Sequence, residues 1–125
     1  MNNSQDEILQ IINKNISLSR GNIFQLRKDF EDLYLKFSLN KELYVKKQSL
    51  GTIYGLKICA EKVIDDHAIL FFHGGGFTTG STNDHLELCG KLSDLSCVPV
   101  LSIDYRLVPE HKFPAAVEDC LISYL

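Results

Sequence analysis

The chain has 125 residues, 45% of them hydrophobic and 23% charged, and its 13 basic and 16 acidic side chains leave a formal net charge of −3. That length suits one domain burying about two thirds of the surface its unfolded chain exposes. The balanced charge, without a basic run, argues against nucleic acid or an anionic membrane as partner, no stretch approaches the roughly 20 apolar residues that cross a bilayer, and the polar, acidic N-terminus is unlike a secretion signal, so a cytoplasmic protein is expected.

The first forty residues predict two helices. Ser4 and Glu7 have the spacing of a capping box, and Ile8, Leu9, Ile11, Ile12 and Ile16 form an apolar stripe that ends in the break at 19–22. Ile23, Leu26, Phe30, Leu33, Tyr34 and Phe37 then recur at three-and-four spacing from Asn22 to Phe37, a second amphipathic helix. Residues 42–48 and 52–59 alternate in part and are joined at Ser49-Leu50-Gly51, which reads as a β-hairpin. A charged loop at 61–66 follows, with His67 at its end.

Next comes the most informative stretch, Ala68-Ile69-Leu70-Phe71-Phe72-His73-Gly74-Gly75-Gly76-Phe77. An apolar run without alternation is the pattern of a short strand covered on both faces, as in a parallel sheet. Three glycines in a row then free the backbone and remove side chains, so peptide N–H groups can approach a ligand closely. Such a loop suits an anion or an oxyanion. It lacks the Gly-Lys-Ser/Thr ending of a P-loop and does not match G-x-G-x-x-G, which argues against phosphate; a tight turn that only lets strand and helix pack would account for a glycine triplet alone. His85, Leu86, Leu88, Cys89, Leu92 and Leu95 fall near helical spacing and predict a helix over 83–96. A second buried strand reads over 98–104, and Pro109 and Pro114 favour a kinked loop with a helix starting near Pro114.

Among polar residues, Asp104, Arg106, Glu110 and Asp119 are expected to form one buried or half-buried network at the strand end and Pro-rich turn, because a charge close to a core needs a partner. His85 and His111 are expected to be structural or exposed. Cys59, Cys89, Cys97 and Cys120 lack C-x-x-C spacing and sit among apolar neighbours, which predicts buried reduced thiols. No metal constellation emerges from the four histidines, and neither metal nor cofactor is expected.

HGGGF at 73–77, followed by a helix and then by DYRLVPEHKFPAAVED at 104–119, resembles the hormone-sensitive-lipase family of α/β-hydrolase esterases and lipases. The resemblance spans about residues 68–120, with Val108 where the family usually has Ala. It implies an α/β fold: a β-hairpin opening an α/β-hydrolase sheet, parallel strands with crossover helices, and the strand at 98–104 lying between the hairpin and the strand at 68–72. It also implies two regions, a helical cap segment over 1–40 and the N-terminal part of the hydrolase domain over 41–125.

An HGGG-type loop after the third strand supplies oxyanion-stabilising N–H groups in such enzymes. The resemblance therefore makes His73, Gly74, Gly75 and Gly76 the oxyanion loop, with the Gly75 and Gly76 amides as donors and His73 holding the loop by hydrogen bonding. It makes Phe77 a substrate-binding residue and a small-molecule ester the substrate. No G-x-S-x-G elbow occurs, and Ser81 and Ser102 have the wrong surroundings for one. The nucleophile half is thus expected beyond Leu125, with the 125 residues inactive alone and the apolar strand at 68–72 left as a bare edge open to self-association. A non-catalytic binding protein on the same fold is the alternative.

Overall fold

A computed structural model describes residues 9–10, 21–34, 42–64 and 66–125. Most of the expected first helix, with its Ser4 and Glu7 cap, lies outside the described residues. The described elements are helix α1 (Ile23–Tyr34), strands β1 (Tyr44–Leu50), β2 (Ile53–Cys59) and β3 (Ile69–Phe72), helix α2 (Leu86–Ser96), strand β4 (Val100–Ile103) and helix α3 (Ala115–Tyr124).

The N-terminus of α1 is set by Asn22, whose Oδ1 accepts hydrogen bonds from the Phe24 and Gln25 amides at 3.1 and 3.2 Å. An asparagine there satisfies two donors that the first helical turn leaves free. Leu33 is the buried residue of the apolar face, and the Tyr34 ring lies 5.5 Å from that of His85.

The four strands form one sheet in the order β1-β2-β4-β3. The hairpin strands pair antiparallel with Leu50 opposite Ile53, so the turn falls at Gly51-Thr52, two residues later than the sequence suggests at its start. Gly51 has φ +62°, a conformation that suits glycine there. β4 lies antiparallel to β2 and parallel to β3, with Val100 opposite Ile58 on one side and Ile69 on the other. The strand at 98–104 thus occupies the expected place between the hairpin and the strand at 68–72.

Ile58, Val100 and Cys89 of α2 are fully buried and pack with Leu56, Ile69, Phe71, Leu86 and Leu92. Each aliphatic side chain sealed in such a core contributes on the order of 1.5–3 kcal/mol. Ser93 fastens α2 to the sheet, its hydroxyl accepting from the Ala60 amide at 3.0 Å and donating to the Val98 carbonyl at 2.8 Å.

α2 begins at Leu86, not at 83, because the preceding residues are engaged elsewhere. The Thr82 amide and hydroxyl both donate to the Asp104 carboxylate at 3.0 Å, and the Asp84 amide donates to the Ser81 hydroxyl at 3.2 Å, which holds a turn. The helix ends at Cys97 in the left-handed conformation, φ 56°. Cys97 is exposed there, contrary to the expectation of four buried thiols, whereas Cys59 and Cys89 are buried.

The two sheet edges differ in chemistry. β1 carries exposed Lys46 and Lys47, side chains that discourage a further strand from pairing. β3 is the apolar Ile69-Leu70-Phe71-Phe72, with Phe72 40% exposed. No helix among the described residues is long and apolar enough to cross a membrane.

Candidate functional site

The site residues gather where β3 ends. His73 leaves the strand into the core and is 4% exposed, while Gly74, Gly75, Gly76 and Phe77 turn outward and are exposed. The His73 ring stacks on Tyr105 at 4.2 Å and lies 5.6 Å from the His85 ring. Its Nδ1 is 2.9 Å from the Gly74 carbonyl oxygen. A carbonyl oxygen only accepts, so Nδ1 carries the proton. The Tyr105 hydroxyl in turn donates to the His73 carbonyl. Burial lowers the His73 pKa and raises that of Tyr105, which keeps the imidazole neutral and the phenol protonated at neutral pH.

The loop then closes on the Gly75 carbonyl. The Thr78 and Thr79 amides donate to it at 3.1 and 3.0 Å, and their hydroxyls at 2.9 and 3.1 Å. In a trans peptide the C=O and the next N–H point in opposite directions. Each anchored carbonyl therefore aims an amide outward: Gly74 C=O held by His73 sends the Gly75 N–H out, and Gly75 C=O held by the threonines sends the Gly76 N–H out. Among the described residues neither of these two amides has an acceptor.

Glycine is required at particular positions of this loop. At Gly75, φ is +129°, and a Cβ would lie 2.0 Å from the Thr79 carbonyl oxygen. Gly74 differs: a Cβ there would meet nothing within 4 Å. Phe77 has φ 60°, strained for a side-chain-bearing residue, and its carbonyl accepts from the Val108 amide at 2.9 Å. Beside Gly76 and Phe77 opens a cleft of about 260 Å³, lined also by Arg106, Val108, His111, Phe113, Pro114, Ala116 and Val117.

The expected network of four charged residues divides into three. Arg106 and Asp119 pair as expected: the guanidinium Nε and Nη2 donate to the carboxylate at 2.8–3.0 Å, and the Arg106 amide adds a bond at 2.8 Å. Asp104 instead caps the turn at Thr82. Glu110 turns to Arg27 of α1, whose Nη2 donates to it at 2.9 Å. The same guanidinium reaches the Thr78 carbonyl through Nε at 2.7 Å and the Val108 carbonyl through Nη2 at 2.8 Å. These bonds tie helix, glycine loop and Pro-rich turn together.

The profile of the alpha/beta hydrolase fold family matches residues 69–125. The chain is 44% identical over 63 residues to Lipase 2 of Moraxella sp. (strain TA144), an alignment covering 50% of this chain and 14% of that protein. It is 47% identical over 57 residues to the carboxylic ester hydrolase LipN of Mycobacterium tuberculosis (strain ATCC 25618 / H37Rv), covering 46% and 15%. A crystal structure of an esterase from the bacterial hormone-sensitive lipase family superposes with TM-score 0.92 at 27% identity, over 99% of this chain and 42% of that one. In sequence and in fold the chain is similar to α/β hydrolases of the hormone-sensitive-lipase type. It spans about two fifths of the length of that related structure.

His73, Gly74, Gly75, Gly76 and Phe77 follow one another at the end of β3. Ser102 is fully buried in β4, and the Ser81 hydroxyl serves the Asp84 amide. Among the described residues, no group of histidine, cysteine and acidic side chains could hold a metal ion. Arg27 was not foreseen as part of this site. Its one signal is position: Ile23, Arg27, Phe30 and Tyr34 share a three-and-four stripe, so a cation stands where an apolar residue would fit.

Proposed function

We propose that this chain forms the oxyanion-stabilising part of a carboxylic ester hydrolase, with the Gly75 and Gly76 N–H groups as donors. The observation that carries this reading is the pair of exposed amides without acceptors, each aimed by an anchored carbonyl at the end of β3. As a nucleophile adds to an ester carbonyl, negative charge builds on its oxygen, and donors already in place stabilise that charge without reorganising. The attacking serine, then an acid, then a histidine, in that chain order, come from outside residues 1–125, with a third N–H donor. His73 holds the loop through Nδ1 and does not act as the base, since its ring is buried in a stack with Tyr105 and His85, away from an incoming ester.

Phe77 and the apolar cleft beside it take one arm of a small-molecule ester, and residues 1–40 cap the site above the domain formed by 41–125. The chain alone is expected to leave p-nitrophenyl acetate intact. Joined to the segment bearing the serine and histidine, it is expected to hydrolyse it, and Gly75→Pro to lower kcat about 100- to 1,000-fold. Binding of the ester without turnover in the joined protein would favour the non-catalytic alternative, and a near-normal kcat in Gly75→Pro would remove the loop from the mechanism.

The apolar β3 edge supports a second property, self-association of two copies through that strand. A concentration-dependent dimer in size-exclusion chromatography is expected of the 125-residue chain; a monomer at every concentration would overturn it.

A further inference from the structure

Arg27 stands outside both sequence motifs, yet its guanidinium makes hydrogen bonds to the glycine loop and to the turn that supports it. Two of its acceptors are main-chain carbonyls, those of Thr78 and Val108, which carry no charge to neutralise. The third, Glu110, accepts from Nη1 and Nη2 on the solvent side, apart from the two carbonyls. From below, the fork lies against the Phe24 ring at 5.6 Å. A lysine offers one point charge and no planar fork, so it could not serve these acceptors in the same geometry.

The two carbonyls matter because of what they are joined to. Thr78 closes on the Gly75 carbonyl through both its amide and its hydroxyl. That carbonyl belongs to the peptide whose other end is the Gly76 N–H. Val108 meanwhile donates its amide to Phe77 on the far side of the same turn. A contact made by α1 is therefore transmitted, in two hydrogen bonds, to the direction of one amide.

We propose that Arg27 is a positioning residue for the glycine loop: by holding the Thr78 and Val108 carbonyls it sets the orientation of the Gly76 N–H, and so couples the seating of α1 to the oxyanion donors. This rests on the reading of the loop as an oxyanion site. The neighbouring amide is independent of it. The Gly75 N–H is aimed by the His73 anchor on Gly74, which Arg27 does not touch.

Amide spectra of the 125-residue chain test the proposal, with Arg27→Ala, Arg27→Lys and Glu110→Gln compared to the parent. Arg27→Ala is expected to shift or broaden the Gly76 amide signal while Gly75 and the β1–β2 hairpin amides stay in place. Glu110→Gln keeps both carbonyl contacts and is expected to leave Gly76 unmoved. Arg27→Lys falls between, and decides the matter if Arg27→Ala does not fold. Release of α1 with an unmoved Gly76 signal would overturn the proposal, because Arg27 would then merely fasten the helix. Equal perturbation of Gly76 by Glu110→Gln would also overturn it, assigning the effect to the ion pair. None of these readouts requires ester hydrolysis, so loss of the catalytic reading would leave them intact.

Discussion

Among the described residues two arginines clamp carboxylates, and they do different work. Arg106 holds Asp119 thirteen residues away, and the carboxylate it grips is 2% exposed and also takes the Arg106 amide. Arg27 holds Glu110 across 83 residues, at a carboxylate 39% exposed. The first clamp is local, and its carboxylate is sealed and joined to the main chain although the Arg106 side chain reaches solvent, so it belongs to the stability of the β4–α3 connection. The second is open to solvent, where a charge pair contributes little to stability. What it supplies is registration between segments far apart in the chain.

The sharpest way to break the comparison is Asp119→Ala. It removes the acceptor of the Arg106 amide and opens a gap where a buried carboxylate stood, and a main-chain donor left without its partner costs about 1–3 kcal/mol. Denaturant unfolding should show this loss, and a smaller loss than for Glu110→Gln would reverse the ranking of the clamps.

A second break strikes what the Arg27 clamp holds without touching either arginine. Gly75→Ala must move the Thr79 carbonyl and adopt a φ that side chains avoid, at a cost of about 1–3 kcal/mol. Gly74→Ala meets open space and is expected within about 0.5 kcal/mol of the parent in the same unfolding experiment. Equal costs for the two alanines would mean that the loop is not held as described.

The smallest expected effect is in acid. Hydrogen bonds from Arg27 hold the Glu110 pKa at about 2, well below its usual 4.5. Burial would raise the Asp119 carboxyl, but the Arg106 hydrogen bonds outweigh it and the pKa is lowered. Both carboxylates are thus more acidic folded than unfolded. The unfolded chain binds more protons as pH falls, so their contribution is complete at neutral pH and lost on acidification. For Glu110 that loss runs from 4.5 down to about 2. Glu110→Gln should flatten the stability-versus-pH curve in this window, and an unchanged slope would show that Arg27 does not perturb Glu110.

Much of this arrangement was legible in the sequence because it depends on local chemistry. The apolar run at 69–72, the glycines after it and the prolines at 109 and 114 mark the strand, the loop and the start of α3 without reference to distant residues. Arg106 and Asp119 are close enough in sequence to be paired by eye. Where the reading failed, long-range partners decided. Asp104 draws Thr82 into a turn and shortens α2, and Glu110 leaves its neighbours for a cation on α1. Cys97 is exposed because the helix ends there in a left-handed turn, a conformation that apolar spacing does not reveal.

The strand order also sets the sequence of events by which the loop acquires its shape. β3 emerges from synthesis a whole helix ahead of β4, the strand it pairs with, and His73 emerges before the Tyr105 it stacks on. Because pairings between distant segments form late, a nascent chain carries the HGGGF sequence for some time with nothing to hang it from. The loop becomes a shaped object only once β4 has paired with both of its neighbours and brought Tyr105 and Val108 to their partners His73 and Phe77. The geometry of this site therefore rests on a long-range pairing, and a defect in β4 would cost the loop its form.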